Sequence, residues 1–415
     1  MTRISLGEVI AGTKARGIAD TSRRAVRRLY RELDARMGIQ SLNFPLDAAD
    51  VFSSINAART PSRSFDGTMD VGWVITPPAP GAGGHTTLFR MVRGMEQRGH
   101  RCTLLVYSRN DAALARHQAV IRACWPDVIA GIEAVPATLD GFDACVASSW
   151  ETAHVLATRL TSHGGTSPFY FIQDYEPFFH PRGSLYALAE DSYRFGFTML
   201  ALGPMVAEVL EREAGVQAHV LPYGSDTGTY RLTSTRKRSG VVFFAKPGAE
   251  RRGYDMGRLA LHEFHRMHPE QEIHIYGSRV SGWEIPVTQH GTLSPRQLNE
   301  LYNRTTAGLA LSFTNITLVA AEMLAAGNIP VLNDHPFSRS VLTNPEALWA
   351  APSPAALAKA LGQAVTAAGA AERSRRAADH REHSWTETQA AFAGALTGQD
   401  ATPDTQSQQE RQVAL

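Results

Sequence analysis

Three cations crowd one short turn of this sequence. Lys246, Arg251 and Arg252 fall within Lys-Pro-Gly-Ala-Glu-Arg-Arg-Gly (246–253), directly after the apolar run 239–245. Fixed cations on such a turn suit a diphosphate, because the charge on a departing phosphate grows as its bond to carbon breaks. The plainer reading is a patch of solvated surface charge, but the position just beyond a buried strand favours a ligand. A second loop, Gly81-Ala82-Gly83-Gly84-His85, brings bare backbone N–H groups to the start of a helix, a place for an anion or a sugar hydroxyl. It is not a dinucleotide fingerprint. Thr86 stands where the last glycine of GxGxxG belongs, and the next strand ends Val106-Tyr107-Ser108 without the acid that would hold a ribose. Glu322 is a lone carboxylate in the apolar stretch 318–327, so it needs a partner such as a helix dipole or a ribose hydroxyl. No Asp-x-Asp pair occurs, and the histidines are scattered without HExxH-like spacing. The sequence therefore predicts no metal and no bound cofactor.

The elements that must position these loops read as two successive α/β halves. Apolar runs at 70–77, 101–108, 142–148, 167–174 and 197–203 alternate with helical stretches, 87–100 among them. Strand, helix, strand at this spacing means a parallel sheet covered on both faces. The pattern restarts after a turn-rich connection (219–232) with strands expected near 239–245, 272–278, 306–313 and 329–334. Ser294 and Pro295 read as the cap and first turn of a helix, and Gly327 as the end of another. The expected division is a basic helical extension (1–65), a first Rossmann-like domain (66–225), a second (226–384), and a C-terminal helix with a disordered tail (385–415). In open parallel sheets, ligands sit at the carboxyl ends of the strands, so two such sheets facing each other define an interdomain cleft.

The totals exclude several classes. The chain has 415 residues and a net charge of +1, which argues against a protein built for nucleic acid. Three scattered cysteines make neither a disulfide framework nor a zinc site. The absence of a long apolar run leads to an expectation of a cytoplasmic protein. The first forty residues carry nine Lys/Arg against four Asp/Glu, with helical spacing around Val26, Leu29, Tyr30 and Leu33. Such a helix either packs on its own protein or makes peripheral contact with an anionic membrane at its inner face.

Several of these stretches together resemble the family-4 retaining glycosyltransferases, of GT-B fold, from about Asp70 to Trp385. LPYGSDTGTYRL (221–232) is similar to that family's interdomain segment. FFAKPGAERRGYD (243–255) resembles its diphosphate clamp, HGTLSPRQLNELYNRTTAGLALS (290–312) its Gly-x-Leu-Ser, helix and strand, and AEMLAAGNIPVL (321–332) its Glu-Ala-Met-Ala-x-Gly-x-Pro-Val. FYFIQDYEPFFHP (169–181), with GGHTTLFRMVRGMEQRGH (83–100) before it, looks more narrowly like WsaF-type rhamnosyltransferases, which use dTDP-rhamnose. Two positions depart from the pattern. Thr314 stands where the family's Glu-x7-Glu has its first carboxylate, and Gln173-Asp174 stands where many relatives have His-Asp.

The resemblance implies a metal-independent transfer, with retention, of a sugar from a dTDP- or UDP-linked donor to a glycan or lipid-linked acceptor. It places the donor on the second domain. Lys246, Arg251 and Arg252 would hold the diphosphate, and Glu322 the ribose. Tyr276, Gly277, Ser278, Gly291, Thr292 and Leu293 would cover base and ribose, with Tyr276 stacking on the base. Gly83, Gly84, His85, Tyr175 and Glu176 would lie on the acceptor side, and Asp174 would contact the reacting centre together with Lys246 and Arg252. A nucleotide-sugar 2-epimerase and a non-catalytic nucleotide-sugar-binding relative remain as alternatives.

Overall fold

The computed structural model describes residues 44–57, 64–108, 113–161, 165–226, 228–234, 236–315, 318–379 and 383–398. The chain divides into two compact units, Met1–Val51 and Phe52–Leu415. Of the first, only the end is described, with a single 3-10 turn at Ala48–Asp50. The expected basic helix and the tail beyond 398 lie outside the described residues.

The second unit contains both sheets. The first is built from β1 (Asp70–Ile75), α1 (Gly83–Glu96), β2 (Arg101–Val106), α2 (Leu114–Cys124), β3 (Gly131–Ala134), β4 (Ala144–Ala147), α3 (Trp150–Arg159), β5 (Ser167–Ile172), α4 (Ser184–Ser192), β6 (Thr198–Leu202), α5 (Pro204–Val209) and β7 (His219–Leu221). Its strands are parallel in the order β3-β2-β1-β4-β5-β6-β7. Every residue of β4 and β5 is buried, as expected for strands covered by helices on both faces. Ser149 caps α3 in a reciprocal box with Thr152, which fixes where the chain leaves β4. The helix expected at 87–100 begins earlier, at Gly83, so the glycine loop supplies its first turn. The connection expected from 219 opens with the edge strand β7.

The second sheet follows with β8 (Val241–Ala245), α6 (Tyr254–Met267), β9 (Ile273–Gly277), β10 (Thr288–Gln289), α7 (Pro295–Arg304), β11 (Ala307–Leu309), α8 (Leu318–Ala325), β12 (Ile329–Asn333), α9 (Pro336–Val341), β13 (Leu348–Ala350), α10 (Pro354–Thr366), α11 (Ala370–Asp379) and α12 (Trp385–Thr397). Its order is β10-β9-β8-β11-β12-β13, again parallel. Ser294 caps α7 in a box with Gln297, as the sequence predicts. In both sheets the strand order reverses beside the first strand of the half, β1 and β8. The loops after these two strands are therefore the ones aimed at ligand.

Each sheet has its own core. Tyr302, Phe243 and Phe264 are fully buried in the second. The first core is completed by the end of the chain. Phe392 of α12 stacks on Trp73 at 5.3 Å and meets Phe171 edge-on at 5.5 Å, and Leu396 is buried beside it. The chain thus crosses back from the second sheet, and the Gln389 amide donates to the Arg90 carbonyl at 2.7 Å. Fully burying an aromatic side chain such as Phe392 is worth about 1.5–3 kcal/mol, so α12 is an integral layer of the first domain.

Candidate active site

The carboxyl ends of β1, β4 and β5 face those of β8 and β11 across a cavity of about 430 Å³. Its floor on the second sheet is the cation turn. Ala249 N–H donates to the Lys246 carbonyl at 3.1 Å, and Arg252 N–H to the Ala249 carbonyl at 2.9 Å. Gly253, at φ 61° with Phe313 close behind it, ends the turn in a conformation that disfavours any side chain. Arg252 donates from Nη1 to Ser312 Oγ at 3.0 Å and to the Asn315 carbonyl at 3.4 Å. Arg251 lies 4.3 Å over the Phe179 ring, a cation–π contact from one sheet's loop to the other's. Among the described residues, neither Lys246 nor Arg251 has a carboxylate within ion-pair distance. Burial, then Arg251 and Arg252, lower the pKa of Lys246. Asp174 offsets part of the charge of Arg252 and Arg251, and three cations held together with that one buried carboxyl still make a socket for an anion.

The opposite wall is the first sheet. Gly83, Gly84 and His85 open α1 with no side-chain cap and line the cavity. The His85 ring contacts the Thr76 carbonyl through Nε2 at 3.0 Å, and burial lowers its pKa, so the ring is neutral with its proton on Nε2. The Gln173 amide donates to the Gly84 carbonyl at 3.0 Å and fixes the loop after β5 against α1. Ser148 and Ser149 after β4, and Glu176 after β5, complete the wall.

Asp174, expected at the reacting centre, lines the cavity but gives both oxygens to the other sheet. Thr314 Oγ1 donates to Oδ2 at 2.7 Å and Asn315 N–H to Oδ1 at 2.9 Å. The Asn315 amide donates to the Gln173 carbonyl at 2.8 Å. Burial raises the Asp174 pKa against the pull of these donors and of Arg252 and Arg251. Thr314, which stands where a carboxylate was expected, therefore binds a carboxylate from the opposite domain.

Several other expected contacts are displaced. Tyr276 is not on the cavity wall. It is buried in the second core, its hydroxyl 2.6 Å from that of Tyr302 and its ring 5.2 Å from Phe244. β9 is covered on both faces, so its aromatic points inward, and Phe244 of the neighbouring β8 is on the cavity wall instead. Tyr276→Ala is expected to lower stability by about 3–5 kcal/mol, as for a large buried aromatic, rather than act on substrate affinity. A denaturant midpoint at wild-type position would contradict this. Gly277, Ser278, Gly291 and Thr292 lie outside the cavity lining, at the carboxyl end of β9. There Gly277 N–H donates to the Gly291 carbonyl at 2.8 Å and Ser278 N–H to the Ala245 carbonyl at 2.9 Å, tying the two loops to the root of the cation turn. Leu293 packs on the second core. Tyr175 is fully buried, with its hydroxyl 3.1 Å from Glu190 Oε1, and is not on the cavity wall.

Glu322 is likewise not on the cavity wall. Leu318 and Val319, one turn earlier on α8, are. Glu322 is largely buried at the junction of the sheets, near Arg90 of α1, Asp226 and the Tyr230 hydroxyl, and burial pushes its carboxyl up to about 7. Arg90 itself lies 4.5 Å over the Trp385 ring. A folded-state pKa above the unfolded value makes the ionised form the costly one. Stability from this group is complete below 4.5 and is lost as pH rises through about 7, a difference on the order of 3 kcal/mol. Glu322→Gln is expected to flatten that dependence and stabilise the chain at pH 8, read from denaturant midpoints at pH 5 and pH 8. Parallel curves for variant and wild type would contradict it.

Sequence reasoning missed Phe244, Ser148, Ser149, Phe179 and Asn315. Each follows or ends a recognisable strand, so position after a strand was the available signal.

Comparison with known proteins agrees with this geometry. Residues 239–362 match the family model described as the WsaF C-terminal domain. A curated relative, the O-antigen biosynthesis protein RfbC of Myxococcus xanthus, is 30% identical over 302 residues, covering 69% of this chain. The chain spans only 23% of that relative's length. Among solved structures, Anabaena HepE in complex with UDP superposes with a TM-score of 0.61 at 12% identity, covering 80% of this chain and 100% of that one. WaaG, a glycosyltransferase involved in lipopolysaccharide biosynthesis, gives 0.54 at 14% identity over 79% of this chain and 100% of its own. OtsA gives 0.54 at 13% identity over 79% and 99%. Residues 239–362 thus match the WsaF C-terminal domain model, within the second half of a chain with the two-sheet GT-B fold.

Proposed function

We propose that this protein is a glycosyltransferase of polysaccharide or O-antigen assembly that binds a nucleotide sugar by its diphosphate. The observation that carries the reading is the cation turn, in which Lys246, Arg251 and Arg252 converge on the interdomain cavity and, among the described residues, neither Lys246 nor Arg251 has a carboxylate within ion-pair distance. Support comes from the WsaF-type domain, from the relative in O-antigen biosynthesis, and from neighbours solved with UDP and UDP-glucose. The donor lies with its diphosphate on the turn after β8 and its sugar toward the first sheet. The acceptor enters against Gly83, Gly84, His85, Ser149 and Glu176. As the bond from the anomeric carbon to the phosphate oxygen breaks, the fixed cations stabilise the growing negative charge more than they stabilise the bound donor. A rhamnosyl donor linked to dTDP, and retention with the departing phosphate taking the acceptor proton, are the finer part of this proposal. A glycan or lipid-linked acceptor and contact of the N-terminal segment with an anionic membrane belong to it too.

The chemistry described needs no metal, and among the described residues no cluster of three metal-ligating side chains occurs. Incubation with a panel of dTDP- and UDP-sugars is expected to release free nucleoside diphosphate when a saccharide acceptor is added, at an unchanged rate in excess EDTA. Turnover lost to EDTA and restored by magnesium or manganese would contradict the metal-free account. Release with no acceptor dependence would contradict the transferase.

A further inference from the structure

Among the described residues, the cavity wall carries three Phe or Tyr rings. Phe179 lies under Arg251, and Tyr223 packs at the linker, 6.2 Å from the Trp385 ring. Phe244 is the third. It stands near the carboxyl end of β8, paired in register with Tyr276 of β9, and the two rings stack at 5.2 Å with 27° between their planes. Gly277 makes room for this stack. It is held at φ 101°, and a Cβ there would come within 2.8 Å of the Phe244 ring and 2.7 Å of the Ala245 carbonyl. Tyr276 is in turn fixed by the contact of its hydroxyl with that of Tyr302. Phe244 is thus a half-buried ring at the cavity wall with a second, immobilised ring behind it.

We propose that Phe244 is the platform on which the nucleobase of the donor stacks. The assignment rests on the glycosyltransferase reading, which supplies the nucleotide, and it adds where the base lies. Position comes first. Phe244 is two residues before Lys246, at most about 7 Å along an extended chain, a separation that a ribose bridges when the diphosphate lies on the turn. Surroundings come second. On the side of the second sheet the wall includes Val319, which also shares with Phe244 a small pocket behind it, and Leu318 just before it on α8. The groups suited to sugar hydroxyls, Ser148, Ser149, Gln173 and Glu176, belong to the first sheet's wall. A flat base fits the apolar side, and a polyhydroxylated sugar fits the polar one, where its hydroxyls find partners. Every base has a π-face, so such a platform supplies affinity without choosing among bases. Tyr276, the aromatic expected to stack, acts one layer deeper, as the support of the ring that does.

The test titrates UDP, dTDP and inorganic pyrophosphate into the full chain as wild type, Phe244→Leu and Phe244→Tyr, with circular dichroism to show that each is folded. Leucine keeps apolar volume but has no π-face, whereas tyrosine keeps the face. Phe244→Leu is expected to bind the nucleotide that the wild type binds roughly five- to a hundredfold more weakly, with pyrophosphate affinity unchanged, and Phe244→Tyr to stay within about threefold of wild type for both. Proton NMR reads the stack directly. The C6 proton of the bound pyrimidine is expected to move upfield in the wild-type complex, under the ring current of Phe244, and not in the leucine variant. Unchanged nucleotide affinity in folded Phe244→Leu, or an equal upfield shift there, overturns the platform. Equal loss of pyrophosphate and nucleotide overturns it too, because the turn rather than the base has then been disturbed. If the leucine variant does not fold, the wild-type spectrum still decides, and an unshifted C6 proton overturns the platform. A wild type that binds neither nucleotide fails the donor reading itself, whereas a wild type that binds one as tightly as Phe244→Leu does fails this assignment alone.

Discussion

Arg252→Ala is expected to lower kcat by two to three decades, about 2–4 kcal/mol of barrier, by analogy with the loss of one preorganised donor to a developing anion. Lys246→Ala is expected to fall in the same range. The two reach that result differently. Lys246 is exposed at the mouth of the turn and has no carboxylate in reach among the described residues, so its loss removes charge and little packing. Arg252 also holds the loop after β11, through Ser312 Oγ and the Asn315 carbonyl, and it faces Asp174. Its replacement therefore costs some stability as well, and Arg252→Lys should restore charge without restoring the paired contacts. Steady-state kinetics on variants shown to be folded separate the cases. A transition-state contact lowers kcat and kcat/KM together, whereas a ground-state contact raises KM alone. Near-normal kcat in both alanine variants would make these cations surface charge.

Asp174→Ala is expected to be the most damaging change on the first sheet. One carboxylate accepts from Thr314 Oγ1 and Asn315 N–H, and the adjacent Gln173 carbonyl accepts from the Asn315 side chain. These bonds join loops 140 residues apart in the chain and belong to opposite walls of the cavity. Their removal strands two buried donors, at about 1–3 kcal/mol each, and frees the loop that positions Arg252. The expected outcome is a lower denaturant midpoint together with at least a tenfold loss of kcat. Asp174→Asn keeps an acceptor for one donor but turns an N–H₂ toward the other, so it should lie between wild type and alanine. Because burial raises the Asp174 pKa, its contribution is greatest at low pH and declines as pH rises through the folded value. An alanine variant with wild-type stability and turnover would show that the seam is incidental.

The sheets were legible because their signal is local. Apolar runs such as 241–245 and 167–172, closed by Gly/Pro turns, mark buried parallel strands whatever else the chain does. The cation turn was legible for the same reason, since it follows such a strand directly. What failed was orientation. β9 is covered on both faces, so period-two alternation says nothing about which way Tyr276 points, and it points into the core. The need of Glu322 for a partner could be read from its apolar neighbours, but the partners Tyr230 and Arg90 come from the linker and from the other domain. Asp174 was marked by the family resemblance, as the acid of Gln173-Asp174 standing where many relatives have His-Asp. Its binding by the residue found in place of a carboxylate, Thr314, rests on contact between loops that no local pattern connects.

The central requirement of the proposed function is that the turn 246–252 binds a nucleoside diphosphate. Calorimetric titration of UDP and of dTDP into the wild-type chain and into a Lys246→Ala, Arg251→Ala, Arg252→Ala triple variant tests this directly, with circular dichroism to show that the variant is folded. At least one of the two nucleotides is expected to bind the wild type, more weakly as salt rises, and the triple variant is expected to bind neither measurably. Equal affinity in the folded triple variant, or no binding of either nucleotide to the wild type, would contradict it.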